Sequence, residues 1–456
     1  MIIPIKLYNT LKRTKQEFIP LKKSHVTIYT CGPTVYWYQH IGNLRSYIFA
    51  DVLKRTLLFN GYNVKQVINI TDVGHLTSDA DEGEDKMEKA ASKEGKKAKD
   101  IAEFYFSKFL EDIHKLNIIE PEIWPKASEH IKEQITMIRE LENKGYTYKT
   151  NDGIYFATSK LKEYGKLAKL KIKGLKAGKR VDIGDKKNPT DFALWKFSDS
   201  PGERQQEWDS PWGIGFPGWH IECSAMSRKY LGDIFDIHTG GEDHISVHHT
   251  NEIAQSQGAT NKIPARFWMH GSFLTFKGEK VSKSKGGLFT LSELEEKKFL
   301  PLSYRYLILT GHYRTQLEFS LENLQNAQNT YERLKNICEE LEDDGKENEK
   351  YLREFTESIN NDLNTPKALQ VLWKMLRDKK AFGKWRTVKK MDEIFALNLL
   401  IKEHIKIPKE VEKLVQDRQE ARKNKNWKLA DELRNKIEKK GFQINDTDKG
   451  PILKKL

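Results

Sequence analysis

The sequence predicts a doubly wound α/β domain built on a parallel sheet, interrupted by an insertion and followed by a helical bundle and a small basic terminal module. Three observations carry this. A strand-like run at 26–30, a helical period from Leu44 and a second apolar run at 64–70 fall within about fifty residues, the length of a right-handed parallel crossover. Strand patterning returns at 234–238 and 267–269 after a stretch of different texture. Beyond Leu321 the apolar residues keep helical spacing as far as Pro408.

Taken in order, residues 26–30 alternate as a strand and lead into Cys31-Gly32-Pro33. Leu44, Ile48, Phe49, Leu53 and Leu57 then recur at helical spacing until Gly61 stops the helix. Ligands in such folds sit beyond the carboxyl ends of the strands, so residues 31–43 and Asn69-Ile70-Thr71-Asp72 should face one crevice. From about 118 to 208 the pattern changes: a helical stretch, then segments 146–150 and 154–156 flanking Asn151-Asp152-Gly153, a hairpin turn signal. Helical signals from roughly Asn251 separate the two later strands, which complete the sheet. The long helical region after Leu321 is broken at Asp362-Leu363-Asn364-Thr365-Pro366, a turn-like string.

A chain of 456 residues is too long for one ordinary core and points to two to four domains. Lys and Arg number 78 against 65 Asp and Glu, a net +13 that favours a polyanionic partner. Residues 401–456 hold 16 Lys and Arg against 10 Asp and Glu, nearly half of that excess, which suits RNA contact; the plain alternative is a solvated helical hairpin. Three cysteines, Cys31, Cys223 and Cys338, argue for a reducing compartment and against a disulfide framework. No apolar run is long enough for a signal peptide or a membrane span, so the expectation is a cytoplasmic protein with no membrane partner.

Two segments carry phosphate chemistry. Thr34-Val-Tyr-Trp-Tyr-Gln-His40-Ile41-Gly42-Asn43 lies between strand and helix, where helix N-terminal amides attract phosphate and His40 and Asn43 add donors. Alone, a His before a helix is an ordinary cap. Lys280-Val281-Ser282-Lys283-Ser284-Lys285-Gly286-Gly287 puts three lysines in a small flexible segment able to close over a polyphosphate and neutralise charge developing in a transition state. It has no P-loop frame. Gly213-Ile-Gly215-Phe-Pro-Gly218 matches the dinucleotide fingerprint formally, but no strand precedes it and Pro217 sits inside the turn, so the match is rejected.

A further group has metal-ligand character. His248 and Glu252 are four apart and share a helix face; two thiolates brought by tertiary folding would complete a tetrahedral set suited to zinc. On the residues alone, Cys31 and Cys223 read first as inert buried thiols and His248–Glu252 as an ordinary helix pair, with His249 a competing ligand.

His40-Ile-Gly-Asn43 and Lys280-Val-Ser-Lys-Ser284 resemble the HIGH and KMSKS signatures of class I aminoacyl-tRNA synthetases. Tyr29-Thr-Cys31-Gly-Pro33, Gly218-Trp219-His-Ile-Glu-Cys223-Ser-Ala-Met226 and His248-His-Thr-Asn-Glu252 resemble the cysteinyl-tRNA synthetases specifically, and the resemblance runs over essentially the whole chain. It implies a Rossmann-like catalytic domain in two halves, 1–117 and 209–270, the second bearing the zinc site; a connective insertion, 118–208; a stem-contact region with the lysine loop, 271–321; a helical tRNA-binding bundle, 322–407; and an anticodon-binding module, 408–456.

The same resemblance implies one zinc ion per chain on Cys31, Cys223, His248 and Glu252, binding the substrate thiol. Gly32, Thr71, Trp219, His238 and Asp243 would form the cysteine pocket. Thr34, His40, Gly42, Asn43, Lys280, Ser282, Lys283 and Ser284 would bind ATP with its magnesium, with His40, Asn43, Lys280 and Lys283 catalytic. Arg422, Lys423, Lys425 and Trp427 are candidates for tRNA contact, although Trp427 taken singly reads first as a core residue. The implied partners are tRNA(Cys), L-cysteine and ATP, and the implied state is a monomer.

The chain departs from the family pattern at Asn43, for the second His of HIGH, at Val281, for Met, and at Thr250, where an acid would support the zinc ligands from behind. Two rivals remain. A ligase joining cysteine to an amino sugar would lack the long helical and basic region after Leu321. An RNA-binding paralogue without catalysis would be free to discard His40, Lys280 and Lys283.

Overall fold

The computed structural model describes residues 3–74, 86–170, 186–202, 204–276, 279–280, 289–402, 408–447 and 450–455. The chain forms two units, Met1–Leu400 and Ile401–Leu456.

The first unit opens with an antiparallel hairpin, β1 (Lys6–Asn9) and β2 (Thr14–Glu17), and then enters the expected crossover: β3 (His25–Thr30), α1 (Ile41–Phe59) and β4 (Asn63–Ile68). Gly61, at φ 83°, makes the left-handed turn between helix and strand that a side chain would strain. Helices α2 (Lys86–Glu94), α3 (Ala98–Lys115) and α4 (Ile131–Asn143) follow, with β5 (Thr147–Lys149), β6 (Gly153–Phe156), β7 (Phe192–Phe197) and β8 (Gly215–Pro217) forming an antiparallel sheet of their own in strand order. The turn string at 151–153 does connect paired strands, Lys149 facing Ile154. The polypeptide returns to the main sheet through α5 (Trp219–Leu231), β9 (Phe235–Gly241), α6 (His248–Thr260) and β10 (Ala265–Gly271).

The main sheet is parallel, in the order β10-β9-β3-β4, so β3 is central and pairs with β4 on one side and β9 on the other. Its strands carry near-continuous buried runs (Ile28, Tyr29; Val67, Ile68; Phe235, Ile237), as a sheet covered on both faces requires. One core joins this sheet, α1 and the helices beyond it.

After β10 come β11 (Leu274–Phe276), β12 (Glu279–Lys280), α7 (Leu291–Glu296), α8 (Pro301–Thr310) and β13 (Leu317–Glu318), then the bundle α9 (Leu321–Glu339), α10 (Glu349–Ile359), α11 (Thr365–Arg377) and α12 (Lys384–Phe395). Asp362 and Leu363 both have positive φ, which explains the break at 362–366. Arg305, fully buried, donates to Asp51 of α1 at 2.5 Å and to the carbonyls of Phe395 and Leu116, tying α8 to α1, to the end of α12 and to the end of α3. The third cysteine, Cys338, is buried in this core, where burial pushes its thiol up to about 12.

The second unit is a helical hairpin, α13 (Lys409–Lys423) and α14 (Trp427–Lys439), followed by an antiparallel strand pair, β14 (Phe442–Thr447) and β15 (Gly450–Lys455). Its small core is Val411, Ile437, Phe442 and Ile444. The hairpin matches the sequence reading; the strand pair was not expected, because Lys454, Lys455 and Pro451 dilute its alternation. Among the described residues no helix is long and apolar enough to cross a membrane.

Candidate active site

The carboxyl ends of β3 and β4 and the start of α1 open onto a cavity of 440 Å³ that is lined by both segments expected to share a crevice. Thr34, His40, Gly42 and Asn43 line it, as do Cys31, Gly32, Thr71, Trp219, Cys223, Asp243 and His248.

His40 is the N-cap of α1: its Nδ1 accepts from the Asn43 amide at 3.2 Å. The cap reading therefore holds, and the same side chain lines the cavity. A Cβ at Gly42 would stand 2.9 Å from the His40 ring, so the glycine lets that ring fold over the first turn. Gly32 is under a stronger constraint: a Cβ there would meet the Asn69 carbonyl oxygen at 1.5 Å.

Asn69, a cavity-lining residue that the sequence reading placed only within its segment, holds this corner together. Its Oδ1 accepts from the Gly32 amide at 2.9 Å and its Nδ2 donates to Thr71 Oγ1 at 3.0 Å. The signal was present, a buried amide at the end of a strand, but only the pairing of β3 with β4 shows what it reaches.

Beneath the cavity lies a cluster with two overlapping sets of four donors, Cys31–Cys223–His248–Glu252 and Cys31–His238–His249–Glu252; within each, the ligand atoms lie within 4.8 Å of one another. Cys31 directly follows β3, Cys223 sits on α5, and His248 and Glu252 occupy one face of α6. Glu252 Oε1 is 3.1 Å from His248 Nε2 and Oε2 is 2.9 Å from His238 Nε2. His238 is fully buried and lies outside the cavity lining, supporting Glu252 from behind. His220 Nδ1 sits 2.9 Å from His248 Nδ1, and Trp219 stacks on His248 with ring centroids 4.2 Å apart. Such contacts orient a ligating imidazole. Thr250 donates to the Ile245 carbonyl at 2.7 Å, so it caps its own helix region instead of reaching the cluster.

The electrostatics of the cluster ask for a cation. Burial, then the neighbouring Cys223 and Glu252, push the Cys31 thiol well above its ordinary range. For Cys223 the hydrogen bond with Cys31 lowers the value, but burial and Glu252 outweigh it and the net direction is upward. Burial and the surrounding His238 and His270 hold His249 well below the usual imidazole value, so it is neutral. Two thiols, imidazoles and a carboxylate, all buried, form a donor set of borderline-soft character suited to a divalent ion, and the residues fit zinc.

Lys280 ends β12, though its side chain is not described, and Ser282, Lys283 and Ser284 lie outside the described residues. In the second unit Arg422 donates to Asp446 Oδ2 at 2.8 Å and lies 5.8 Å from the centre of the Trp427 ring; Lys423 ends α13 and Lys425 has φ 58° in the turn. Trp427 is 57% exposed, which corrects the core reading: as the first residue of α14 it points away from the apolar stripe of Ala430, Leu433 and Ile437.

Residues 17–329 match the family described as "tRNA synthetases class I (C) catalytic domain", and residues 405–450 match "Cysteinyl-tRNA ligase anticodon binding domain". "Cysteine--tRNA ligase 1" of Burkholderia lata is 49% identical over 455 residues, spanning 99% of this chain and 97% of its own length. The "Cysteine--tRNA ligase" of Treponema denticola is 45% identical over 491 residues, 99% of this chain and all of its own. A solved structure of Mycobacterium tuberculosis methionyl-tRNA synthetase in complex with methionyl-adenylate superposes with a TM-score of 0.55 at 14% identity, covering 83% of this chain and 92% of that one, a likeness of fold alone.

Proposed function

The chain belongs to the cysteinyl-tRNA synthetases of class I and is a cysteine--tRNA ligase; on that premise we propose that it activates L-cysteine with ATP on the cavity of β3 and α1 and selects it through a zinc ion on Cys31, Cys223, His248 and Glu252. The observation that carries this is the placement of that buried donor set at the floor of a cavity whose rim holds His40 and Asn43.

When bound, zinc lowers a thiol's pKa and favours sulfur over the harder hydroxyl of serine, a criterion that size alone, worth roughly 1–3 kcal/mol per methylene, does not supply. The chain's own residues do the rest. Gly32 and Thr71, fixed by Asn69, shape the amino-acid pocket together with Trp219 and Asp243. Thr34, Gly42 and the first amides of α1, with His40 and Asn43, face the phosphates of ATP and its magnesium. Attack by the substrate carboxylate on the α-phosphorus needs no protein nucleophile; it needs positioning and charge stabilisation, assigned to His40, Asn43, Lys280 and Lys283, with Ser282 and Ser284 on the same loop. The cysteinyl group then passes to the 3′ end of tRNA(Cys), whose anticodon arm is assigned to the second unit through Arg422, Lys423, Lys425 and Trp427. The domain limits, the monomeric state and the cytoplasmic location read from the sequence belong to the same proposal.

The test is pyrophosphate exchange by the purified protein with cysteine, serine and alanine in parallel, followed by charging of total tRNA. Cysteine-specific exchange with charging is expected. Exchange without charging would favour the amino-sugar ligase, and no exchange the RNA-binding paralogue.

A further inference from the structure

Three large aromatic rings stand in solvent at the rim of the cavity: Trp37, Tyr38 and Phe104 are 40, 36 and 38% exposed. Single exposed rings are ordinary, but a contiguous group of three is a surface that water disfavours and that marks an interaction site. These rings are also held in place. Each contacts Tyr105, only 4% exposed, at centroid distances of 5.6, 5.1 and 5.1 Å, and the Tyr105 hydroxyl is anchored by donating to Glu94 at 2.7 Å.

Cations accompany the rings. Lys93 lies 5.7 Å from the centre of Trp37, and Lys96 and Lys108 lie 5.3 and 5.9 Å from that of Phe104. Lys96 also pairs with Glu94 at 3.0 Å and Lys108 with Glu111 at 2.7 Å, both exposed pairs that an incoming phosphate can displace at little cost. Fixed rings interleaved with lysines are the chemistry that takes single-stranded nucleic acid, the bases on the rings and the phosphates on the cations.

Position decides which strand. Trp37 and Tyr38 line the cavity just ahead of His40, whereas Phe104 does not, so the surface runs from the reaction pocket outward. An acyl group made in that pocket reaches a terminal ribose only if an unpaired end of the acceptor crosses the rim.

We infer that Trp37, Tyr38 and Phe104 form the stacking platform for the unpaired 3′ end of the tRNA, with Lys93, Lys96 and Lys108 meeting its phosphates. This rests on the synthetase reading above, which cysteine-dependent pyrophosphate exchange by the unaltered enzyme checks separately; its absence would overturn both.

The test uses the full-length enzyme and full-length tRNA. Tyr38→Ala and Phe104→Ala should raise the KM for tRNA roughly tenfold, the size of a lost base stack, and depress charging by far more than they depress exchange. Tyr38→Phe and Trp37→Phe, which keep a ring, should restore charging to within about twofold. A tRNA carrying 2-aminopurine as its terminal base should lose fluorescence on binding the unaltered enzyme, a readout independent of whether any variant folds. Equal losses in exchange and charging would place the rings in the nucleotide pocket and overturn the inference. So would an unchanged KM for tRNA in the alanine variants, or no quenching with the unaltered enzyme.

Discussion

The sulfur of Cys31 lies 3.1 Å from Nε2 of His249 and 3.8 Å from Oε1 of Glu252, so one thiol is shared by both candidate donor sets. His249 in turn contacts His270 through Nδ1 at 2.8 Å, and His270 contacts Thr10 at 2.9 Å, a buried chain leading away from the cavity. His248, by contrast, lines the cavity. The rings of the two histidines lie 5.8 Å apart and both approach Glu252 Oε1, but only that of His248 borders the cavity.

That difference gives the first prediction. His248→Ala and Cys223→Ser should lose zinc, whereas His249→Ala should retain it near one ion per chain, as measured by elemental analysis. Zinc retained in Cys223→Ser would sink the assignment; loss in His249→Ala alone would move the ion to the deeper set.

Lys283→Ala should slow adenylate formation roughly a hundredfold or more while weakening cysteine binding little, because the charge that lysine meets develops in the transition state. Single-turnover exchange and equilibrium binding separate the two. Equal losses in both would count against the assignment.

Gly32→Ala should cost on the order of 3 kcal/mol or more of stability, since its Cβ would stand 1.5 Å from a backbone oxygen that has no rotamer to escape through. Urea unfolding measures it. Gly61→Ala, at φ 83° but with open space around it, should cost only about 1 kcal/mol.

Burial raises the Asp112 carboxyl to about 7. An unfolded aspartate ionises near 3.9, so between roughly pH 4 and pH 7 the unfolded chain loses this proton first and stability falls as pH rises. Asp112→Asn should therefore be more stable than the parent at pH 8, by about 1–2 kcal/mol once solvent screening is allowed for, and the gap should close below pH 4. A gap that widens on acidification would refute the sign.

Trp427→Ala should leave the melting temperature almost unchanged, because a ring 57% exposed packs little, while raising the KM for tRNA several-fold through a lost stacking surface, about 1–3 kcal/mol. A large loss of stability would return the ring to the core.

Much of this architecture was legible because periodicity is local. The alternation at 26–30, the helical period from Leu44 and the turn string at 151–153 each depend on a few adjacent residues, and the elements appear where expected, the largest offset being α1, which starts at Ile41. The segment from Thr34 to Asn43 likewise announced the cavity that it lines, whereas the lysine loop lies outside the described residues. What stayed hidden was tertiary: the order β10-β9-β3-β4, the hold of Asn69 on Gly32, and the position of His238 behind Glu252 all join residues of different elements. Helix α6 begins at His248, three residues before the helical signal at Asn251, because its first turn, His248 to Asn251, is polar and carries no apolar period. Trp427 misled because residue type predicts burial only on average.

The central place of β3 also bears on how the polypeptide is made. One edge of β3 pairs with β4, translated only some thirty residues later, but the other waits for β9, which begins at Phe235. At roughly 5–20 residues per second a ribosome takes on the order of 10–40 s to cover that gap, with β3 offering an unpaired edge throughout. The nascent first half is thus the aggregation-exposed stage of this protein's life, the stretch where a holdase chaperone has most to protect, and truncations ending inside the insertion should precipitate where the complete chain does not.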